Sequence, residues 1–235
     1  MRVLAVGCHP DDLEINAFGT LIRYVERGDE LIICGVANGC MGHMVIMPKE
    51  LAAIRVAEAR NAAKLIGAKE YINLGIDDLS INARDEGLYK KMVDVIRYAK
   101  PDVIISHAAN DYQRDHNEVH DLVWGAGFDS SIPHYFTENP VHPLIASMYF
   151  MEPSASNAFI PTDYVDITNV IDKKLEALAC HKSQIDWLRD HVGKDVLETT
   201  RAAAMFRGRL SKVKYAEAFL RCDHVLRMTT SRMLP

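Results

Sequence analysis

Apolar runs and amphipathic stretches alternate along this chain. Short apolar, β-prone runs bounded by turn residues predict buried strands, and apolar residues at helical spacing predict helices. Strands are expected at residues 3–7, 30–37, 71–75, 102–107, 146–151 and 164–167. Helices are expected at residues 15–25, 49–66, 88–98, 169–188, 201–206 and 216–220. This alternation predicts an α/β fold with a doubly wound, mainly parallel sheet and helices on both faces.

The first predicted strand ends in a polar cluster of one imidazole and three acids, His9, Asp11, Asp12 and Glu14. The cluster lies between a strand and a helix, where open α/β sheets bind their ligands. Pro10 restricts the backbone there and holds the cluster in a defined geometry. Adjacent first-turn side chains diverge, so one aspartate could coordinate a metal while the other faces its water. The alternative is that Asp11 or Asp12 only caps the helix.

A second polar cluster follows the fourth predicted strand, at residues 110–120. It contains Asp115, His116 and His120. The carboxyl ends of parallel strands meet on one edge of a sheet, even when they are far apart in sequence. A lone histidine is more often a surface or core residue than a ligand, but two such clusters favour a His/Asp/His metal site.

Other polar segments carry weaker signals. The loop at residues 38–43 leaves the second strand at the same edge, either as part of the site or as a plain connection. Arg55 and Glu58 lie one helical turn apart and could form a surface ion pair, or Arg55 could reach a substrate. The acids at residues 77–85 are expected to be solvated turn residues rather than metal ligands. The proline-rich, aromatic residues 129–147 are expected to form a lid or a subunit contact.

Composition restricts the class of protein. A length of 235 residues suits one domain covering residues 1–235. The net charge of −5 gives no basic footprint for nucleic acid, so the partner is expected to be a small molecule or another copy of the chain. The five scattered cysteines indicate neither a disulfide framework nor a cysteine-based zinc site. No apolar run approaches the roughly 20 residues that a membrane span needs, and a soluble, cytoplasmic protein is expected.

The predicted fold is Rossmann-like, but its first turn is not that of a dinucleotide-binding protein. The turn lacks the G-x-G-x-x-G sequence that cradles a pyrophosphate, and its acids would repel that group. A non-enzymatic nucleotide-binding module that uses the same crevice is nevertheless kept as an alternative.

The sequence His9-Pro10-Asp11-Asp12, together with Asp115-His116 after the fourth strand, resembles the PIG-L or LmbE-like family of zinc-dependent N-deacetylases. The combination of the two motifs is highly specific. The likeness spans nearly the whole chain, through the supporting segments Arg55-x-x-Glu58, Asn73-Leu74-Gly75, Asp166-Ile167-Thr168, His181-x-Ser183-Gln184 and Tyr215-Ala216-Glu217-Ala218-Phe219.

This resemblance implies an activity and a set of roles. His9, Asp12 and His116 would be the ligands of one zinc ion per chain, although another divalent metal is possible, and Asp11 would be the general base. Arg55 would help to hold the substrate near the metal. The implied reaction removes an N-acetyl group from an amino sugar, such as an N-acetylglucosamine derivative, or from a related small amide by means of metal-activated water. The resemblance also implies a homo-oligomer, a trimer or a hexamer.

One position departs from the family pattern. The family commonly has His-Pro-Asp-His at its second motif, whereas this chain has an amide, Gln113, in place of the first imidazole. The group that stabilises the oxyanion or protonates the amine is therefore open, and Gln113 is a candidate substrate-binding residue. His120 lies one helical turn beyond His116 and is either a polar helix residue, a replacement acid or an alternative ligand. A different metal-dependent hydrolase, a phosphoesterase or an amidohydrolase, is the alternative enzyme.

Overall fold

A seven-stranded sheet forms the centre of the protein, in a computed structural model that describes residues 1–154 and 158–235. Its strands are β1 (Arg2–Gly7), β2 (Glu30–Ala37), β3 (Glu70–Ile76), β4 (Val103–His107), β5 (Ser147–Met151), β6 (Asp163–Asp166) and β7 (Ala216–Arg221). Across the sheet the order is β3-β2-β1-β4-β5-β7-β6, in which the first five strands are parallel and β7 is antiparallel to both its neighbours. The prediction of a mainly parallel α/β sheet is confirmed.

Helices cover both faces of this sheet. In the described residues they are α1 (Asp12–Asn16), α2 (Phe18–Glu26), α3 (Pro48–Ile66), α4 (Glu86–Ala99), α5 (Arg114–Asp129), α6 (Ile171–Leu178), α7 (Lys182–Trp187) and α8 (Val196–Leu210). Because alternate strand residues point to opposite faces, Val3 and Ala5 of β1 pack under α2, α3 and α6, whereas Leu4 and Val6 pack under α4 and α5. Among the helices that the structure describes, none is long and apolar enough to cross a membrane.

The chain winds in opposite directions on the two sides of β1. From β1 it proceeds to β2 and β3 on one side, and it returns to β4 and β5 on the other. β1 and β4 are direct neighbours, with Val3 opposite Val103 and Ala5 opposite Ile105. The connections that leave these two strands diverge, and this opens a crevice at their carboxyl ends, where sheets of this type bind ligands.

The prediction of a helix at residues 216–220 is wrong, because this segment is strand β7. Ala216, Glu217 and Leu220 are strong helix formers, but intrinsic propensity is a weak preference that tertiary pairing overrides. β7 fills the position between β5 and β6, and its first four residues are buried.

Two other predicted helices are each divided in two. The helix predicted at residues 169–188 is interrupted at residues 179–181, between α6 and α7. The interruption buries the side chain of His181 completely, with its Nε2 atom 2.9 Å from Oε1 of Glu14. The first helical segment is likewise divided into α1 and α2 at Ala17. Apolar periodicity continues across both interruptions, so it did not reveal them.

A buried ion pair connects β7 with the helices beside it. Nζ of Lys174 donates to Oε1 of Glu217 at 2.6 Å and to the carbonyl oxygen of Ile15 at 2.8 Å. The Glu217 carboxylate also accepts the backbone N–H groups of Gly19 and Thr20, at 2.8 and 2.7 Å. These amides are in the first turn of α2, where backbone N–H groups have no partner within the helix. Glu217 therefore joins α2, α6 and β7.

Replacing Glu217 with alanine is expected to lower the free energy of unfolding by about 3–5 kcal/mol, because Lys174 is left buried without a counter-charge. Urea denaturation followed by circular dichroism measures this loss. The control is Glu30→Ala, which breaks an exposed ion pair with Lys69 at 2.8 Å and should leave stability nearly unchanged. Equal losses in the two variants would contradict the role of Glu217.

Candidate active site

Three side chains from two strand ends meet in the crevice. His9 and Asp12 follow β1, and His116 lies in the first turn of α5, which follows β4. Nδ1 of His9 is 3.4 Å from Oδ2 of Asp12 and 3.3 Å from Nε2 of His116. Nε2 of His116 is 3.2 Å from Oδ2 of Asp12. We refer to His9, Asp12 and His116 as the donor triad.

The donor triad has the geometry of a metal site. Tetrahedral zinc with ligand bonds of about 2.0–2.1 Å separates its ligand atoms by about 3.4 Å, close to the distances within the triad. Two imidazoles and a carboxylate also form a donor set that leaves a fourth position open. The buried Cys8 lies nearby, but its Sγ atom is 3.7 Å from Nε2 of His9, which is not the ring nitrogen of the triad. The residues present therefore fit a divalent metal held by nitrogen and oxygen.

A second carboxylate contacts each imidazole of the donor triad. Oδ2 of Asp115 lies 3.3 Å from Nε2 of His9, and Oδ2 of Asp111 lies 2.8 Å from Nδ1 of His116. Such carboxylates orient metal-binding histidines and keep a proton on the outer nitrogen. Asp115 also accepts the backbone N–H of Leu79 at 2.7 Å, which fixes its position.

A tight turn directs the two adjacent aspartates to different places. Asp11 has a left-handed backbone with φ of 108°, and the backbone N–H of His9 donates to Oδ2 of Asp12 at 2.7 Å. Asp12 thereby faces His116, whereas Asp11 contacts Arg55. Asp11 precedes α1, but its side chain forms no capping hydrogen bond to that helix, which disfavours the helix-cap interpretation for this residue.

Arg55 is buried beneath the turn and does not line the cavity beside the donor triad. Its Nη2 atom donates to the carbonyl oxygen of Pro10 at 2.5 Å and to Oδ2 of Asp11 at 3.1 Å, and Nη1 donates to the carbonyl oxygen of Gly39 at 3.1 Å. The expected surface ion pair with Glu58 is absent from these contacts, because Glu58 instead accepts two hydrogen bonds from Ser183. Arg55 is therefore placed to hold Asp11 rather than to contact a substrate directly.

His107 belongs to the site but was missed in the sequence, where it is only the last residue of a predicted strand. Its Nε2 atom accepts the backbone N–H of Cys8 at 2.9 Å, which ties the end of β4 to the turn that carries His9. Burial, with a further contribution from the neighbouring His116, lowers the pKa of His107 to about 3. The ring is therefore neutral and can act as an acceptor. Its only sequence signal was a polar side chain at a strand end.

Protons bind strongly to the donor triad when no metal is present. Burial acts to lower the pKa of His116, but the carboxylates of Asp12 and Asp111 outweigh it and raise the pKa to about 9. Burial opposes charge on His9 as well, yet Asp115 and Asp12 raise its pKa well above the ordinary value. Burial would raise the pKa of Asp12, but the two imidazoles hold it well below the usual range.

A cavity of about 320 Å³ opens beside the donor triad. Its lining includes Asp11, Asp12 and His116, together with residues of α1, of α8 and of the segment that directly follows β5. The exposed Gln113, directly before α5, also lines it. His120 does not, because its Nδ1–H donates to the carbonyl oxygen of His107 at 2.9 Å. The structure thus places Gln113 at the cavity and His120 outside it.

The predicted loops differ in their relation to the site. Gly39 and Met41 donate their backbone N–H groups to the carboxylate of Asp78, at 2.8 and 2.9 Å. Asp78 is therefore a buried residue that holds the loop at residues 38–43, not a solvated turn residue. Described residues of the segment at 129–147 contact α4, through Arg97 and Asp94, and none of them lines the cavity.

The chain belongs to the PIG-L family. Residues 4–126 match the family model described as "PIG-L: GlcNAc-PI de-N-acetylase", which is more than half of the chain. The protein is accordingly an enzyme of a family of N-deacetylases, which are hydrolases.

Named relatives and solved structures resemble the chain over most of its length. Diacetylchitobiose deacetylase from Thermococcus kodakarensis is 26% identical over 228 residues, covering 92% of this chain and 81% of the relative. The structure of N,N'-diacetylchitobiose deacetylase from Pyrococcus horikoshii, in complex with the inhibitor MPG, has a TM-score of 0.82 and 25% identity, covering 95% of this chain and 85% of that one. 4-Oxalmesaconate hydratase from Pseudomonas putida is 26% identical over 194 residues, covering 77% of this chain and 73% of the relative.

Metal binding to the metal-free protein near neutral pH is expected to release about two protons, one from His9 and one from His116, because metal ligands must be deprotonated. Isothermal titration calorimetry with zinc, in buffers of different ionisation enthalpy, counts the protons. As the pH rises through 9, the pKa of His116, the number should fall and the affinity should increase. Zinc binding without proton release would contradict this description of the triad.

Proposed function

We propose that the protein is a zinc-dependent N-deacetylase that releases acetate from an N-acetylated amino sugar or a related small amide. The observation that carries this proposal is that Asp12 and His116 line one cavity together with Asp11, while His9 completes the donor triad beside it. The relatives named as deacetylases of diacetylchitobiose support the substrate class. A cytoplasmic location and a trimeric or hexameric assembly stay predictions.

In this proposal His9, Asp12 and His116 hold the metal through Nδ1, Oδ2 and Nε2. A bound zinc ion supplies a Lewis acid that polarises the amide carbonyl and makes water acidic enough to lose a proton near neutral pH. Asp115 and Asp111 keep the two imidazoles in the orientation and protonation that a metal requires.

Asp11 acts as the general base. It lines the cavity next to Asp12, and burial raises the pKa of its carboxyl group, although Arg55 partly opposes that rise. A raised pKa suits a group that must first accept a proton from water and later return it to the departing amine. Arg55, which donates to Oδ2 of Asp11, keeps the carboxylate in a fixed orientation throughout.

Gln113 serves as a hydrogen-bond donor to the oxyanion that develops on the attacked carbonyl. Its side chain lines the same cavity as Asp11 and His116. A primary amide can donate a hydrogen bond to an oxyanion, as in known oxyanion holes, but it cannot transfer a proton. Asp11 is therefore left as the residue that protonates the amine.

A second candidate function is the hydration of an electron-poor carbon–carbon double bond. The named hydratase among the relatives favours it, and so does Gln113, since hydration has no amine to protonate. Among the three described lysine and arginine residues that line the cavity, Lys174 and Arg207 are already paired with acids of the chain, whereas the exposed Lys194 has no ion pair and could meet one carboxylate. Deacetylation is the primary proposal, because the relatives named as deacetylases support it.

A substrate panel tests the proposal. The zinc-loaded enzyme is incubated with N-acetylglucosamine and diacetylchitobiose, with 4-oxalmesaconate, and with an aryl phosphate. Free amine and acetate in equal amounts from an N-acetyl sugar are the expected result. Loss of the ultraviolet absorbance of 4-oxalmesaconate without amine release would identify a hydratase, and released phosphate a phosphoesterase. A protein that takes up no metal but is stabilised by nucleotides would instead be a nucleotide-binding module.

Asp11→Asn is expected to lower kcat by about 10²- to 10⁴-fold, the usual contribution of a general base, while zinc binding is retained. Asp12→Ala and His116→Ala are expected to lose the metal. His120→Ala, one helical turn away, is the matched control and should retain it. Metal analysis after dialysis, together with amine release, separates these outcomes. An active Asp11→Asn variant would contradict the assignment of Asp11 as the general base. Loss of metal in His120→Ala but not in His116→Ala would show that His120, not His116, is the metal ligand.

A further inference from the structure

Glu152 stands at the cavity but outside the donor triad and its supporting carboxylates. It follows β5 directly, at the carboxyl end of the sheet, and its side chain is 25% exposed. It lines the same cavity as Asp11 and His116. A partly exposed carboxylate in a cavity beside a metal site can contact a bound substrate.

Arg207 of α8 fixes this carboxylate. Its Nε atom donates to Oε2 of Glu152 at 2.7 Å, and its Nη2 atom donates to Oε1. This arrangement occupies one acceptor site on each oxygen, and a carboxylate has about four such sites. The side chain of Arg207 is only 13% exposed, so the pair is held against α8 rather than free in solvent. Glu152 is thus oriented in advance and has acceptor capacity left.

Glu217, the other paired glutamate of the same cavity, shows the contrast. Its carboxylate accepts from Lys174 and from two backbone amides of α2, and its side chain is 3% exposed. The ion pair of Lys174 and Glu217 is therefore almost completely buried. Among the contacts of the described residues, Glu152 accepts from Arg207 alone. A purely structural role therefore accounts for Glu217. It does not account for the partial exposure and the unused acceptor sites of Glu152.

Uncharged polar side chains also line the cavity. Ser154 Oγ donates to Oδ1 of Asn16 at 3.0 Å, and Nδ2 of Asn16 donates to the carbonyl oxygen of Asp12 at 2.9 Å. Asn16 and Ser154 both line the cavity, as does Thr199 of α8. Such a surface matches a ligand that carries hydroxyl groups.

We propose that Glu152, oriented by Arg207, accepts hydrogen bonds from two hydroxyl groups of the substrate and so selects a polyhydroxylated ring with no carboxylate at that end. A carboxylate placed there would meet Glu152 as a like charge, while Arg207 is already neutralised. This inference rests on the proposed function, which it extends from the reaction to the recognition of the sugar.

The test combines one change in the protein with one change in the substrate, in the manner of a double-mutant cycle. The protein change is Glu152→Gln, which keeps the volume and removes the charge. The substrates are N-acetylglucosamine and its analogues that lack the 3- or the 4-hydroxyl group. Loss of a hydrogen bond to a charged group is expected to raise KM for N-acetylglucosamine by about 10- to 100-fold, with a smaller effect on kcat. Metal content should be unchanged.

The analogues decide between recognition and structure. In the wild-type enzyme, at least one deoxy analogue should have a KM about 10-fold or more above that of the parent sugar, whereas Glu152→Gln should discriminate less between the two. If both proteins discriminate equally, the proposal is overturned. The matched control is Asp172→Asn, which removes the acidic partner of another arginine of α8, Arg201, at 3.0 Å on an exposed surface, and it should leave KM unchanged.

Two further measurements keep the outcome clear. If Glu152→Gln does not fold, as judged by its thermal transition, Glu152→Asp takes its place. Its shorter side chain keeps the charge but moves it away from Arg207. This variant should also discriminate less between N-acetylglucosamine and its deoxy analogues. Calorimetric binding of the sugars separates this inference from the proposed function. A protein that hydrolyses no N-acetyl sugar, but binds the parent sugar more tightly than its deoxy analogue only when Glu152 is present, would retain the recognition role without the deacetylase activity.

Discussion

The parallel pairing of β1 with β4 is the constraint on which the site depends. The donor triad needs both strands, since β1 leads to His9 and Asp12, and β4 leads to His116. The register that sets Val3 opposite Val103 brings the two strand ends level, and the apolar side chains on both faces of the sheet fix that register. A hydrogen bond from the backbone of Cys8 to His107 then joins the two ends directly. The geometry of the crevice is therefore a product of core packing.

Carboxylates and imidazoles alternate through the site, and this arrangement suits a cation that can bind and leave. Each imidazole of the donor triad lies between two carboxylates: His9 between Asp12 and Asp115, and His116 between Asp12 and Asp111. Three acids around two imidazoles would be unstable without compensating positive charge, which either protons or a metal can supply. Protons supply the compensating charge when no metal is present, and a metal that binds displaces them. The same residues can therefore be buried in both states.

The sequence contained much of the fold and the centre of the site, for physical reasons. Buried parallel strands are continuous apolar runs, so β1, β2 and β4 were predicted close to their observed bounds. The turn after β1 carried its own chemistry in adjacent residues. β7 was predicted as a helix because its pairing partners are distant in the chain. Arg207 and Glu152 were not found, since an ion pair between α8 and the end of β5 has no local pattern.

The left-handed backbone of Asp11, with its φ of 108°, has an evolutionary consequence. A residue with a β-carbon pays about 1–3 kcal/mol for a conformation of this kind, which glycine adopts without strain. A glycine at this position would relieve the backbone strain, but it would also leave the buried Arg55 without the carboxylate with which it pairs, and that loss is destabilising. Substitution here cannot relieve the strain without breaking a buried ion pair, so selection for heat resistance alone would not favour glycine at this position.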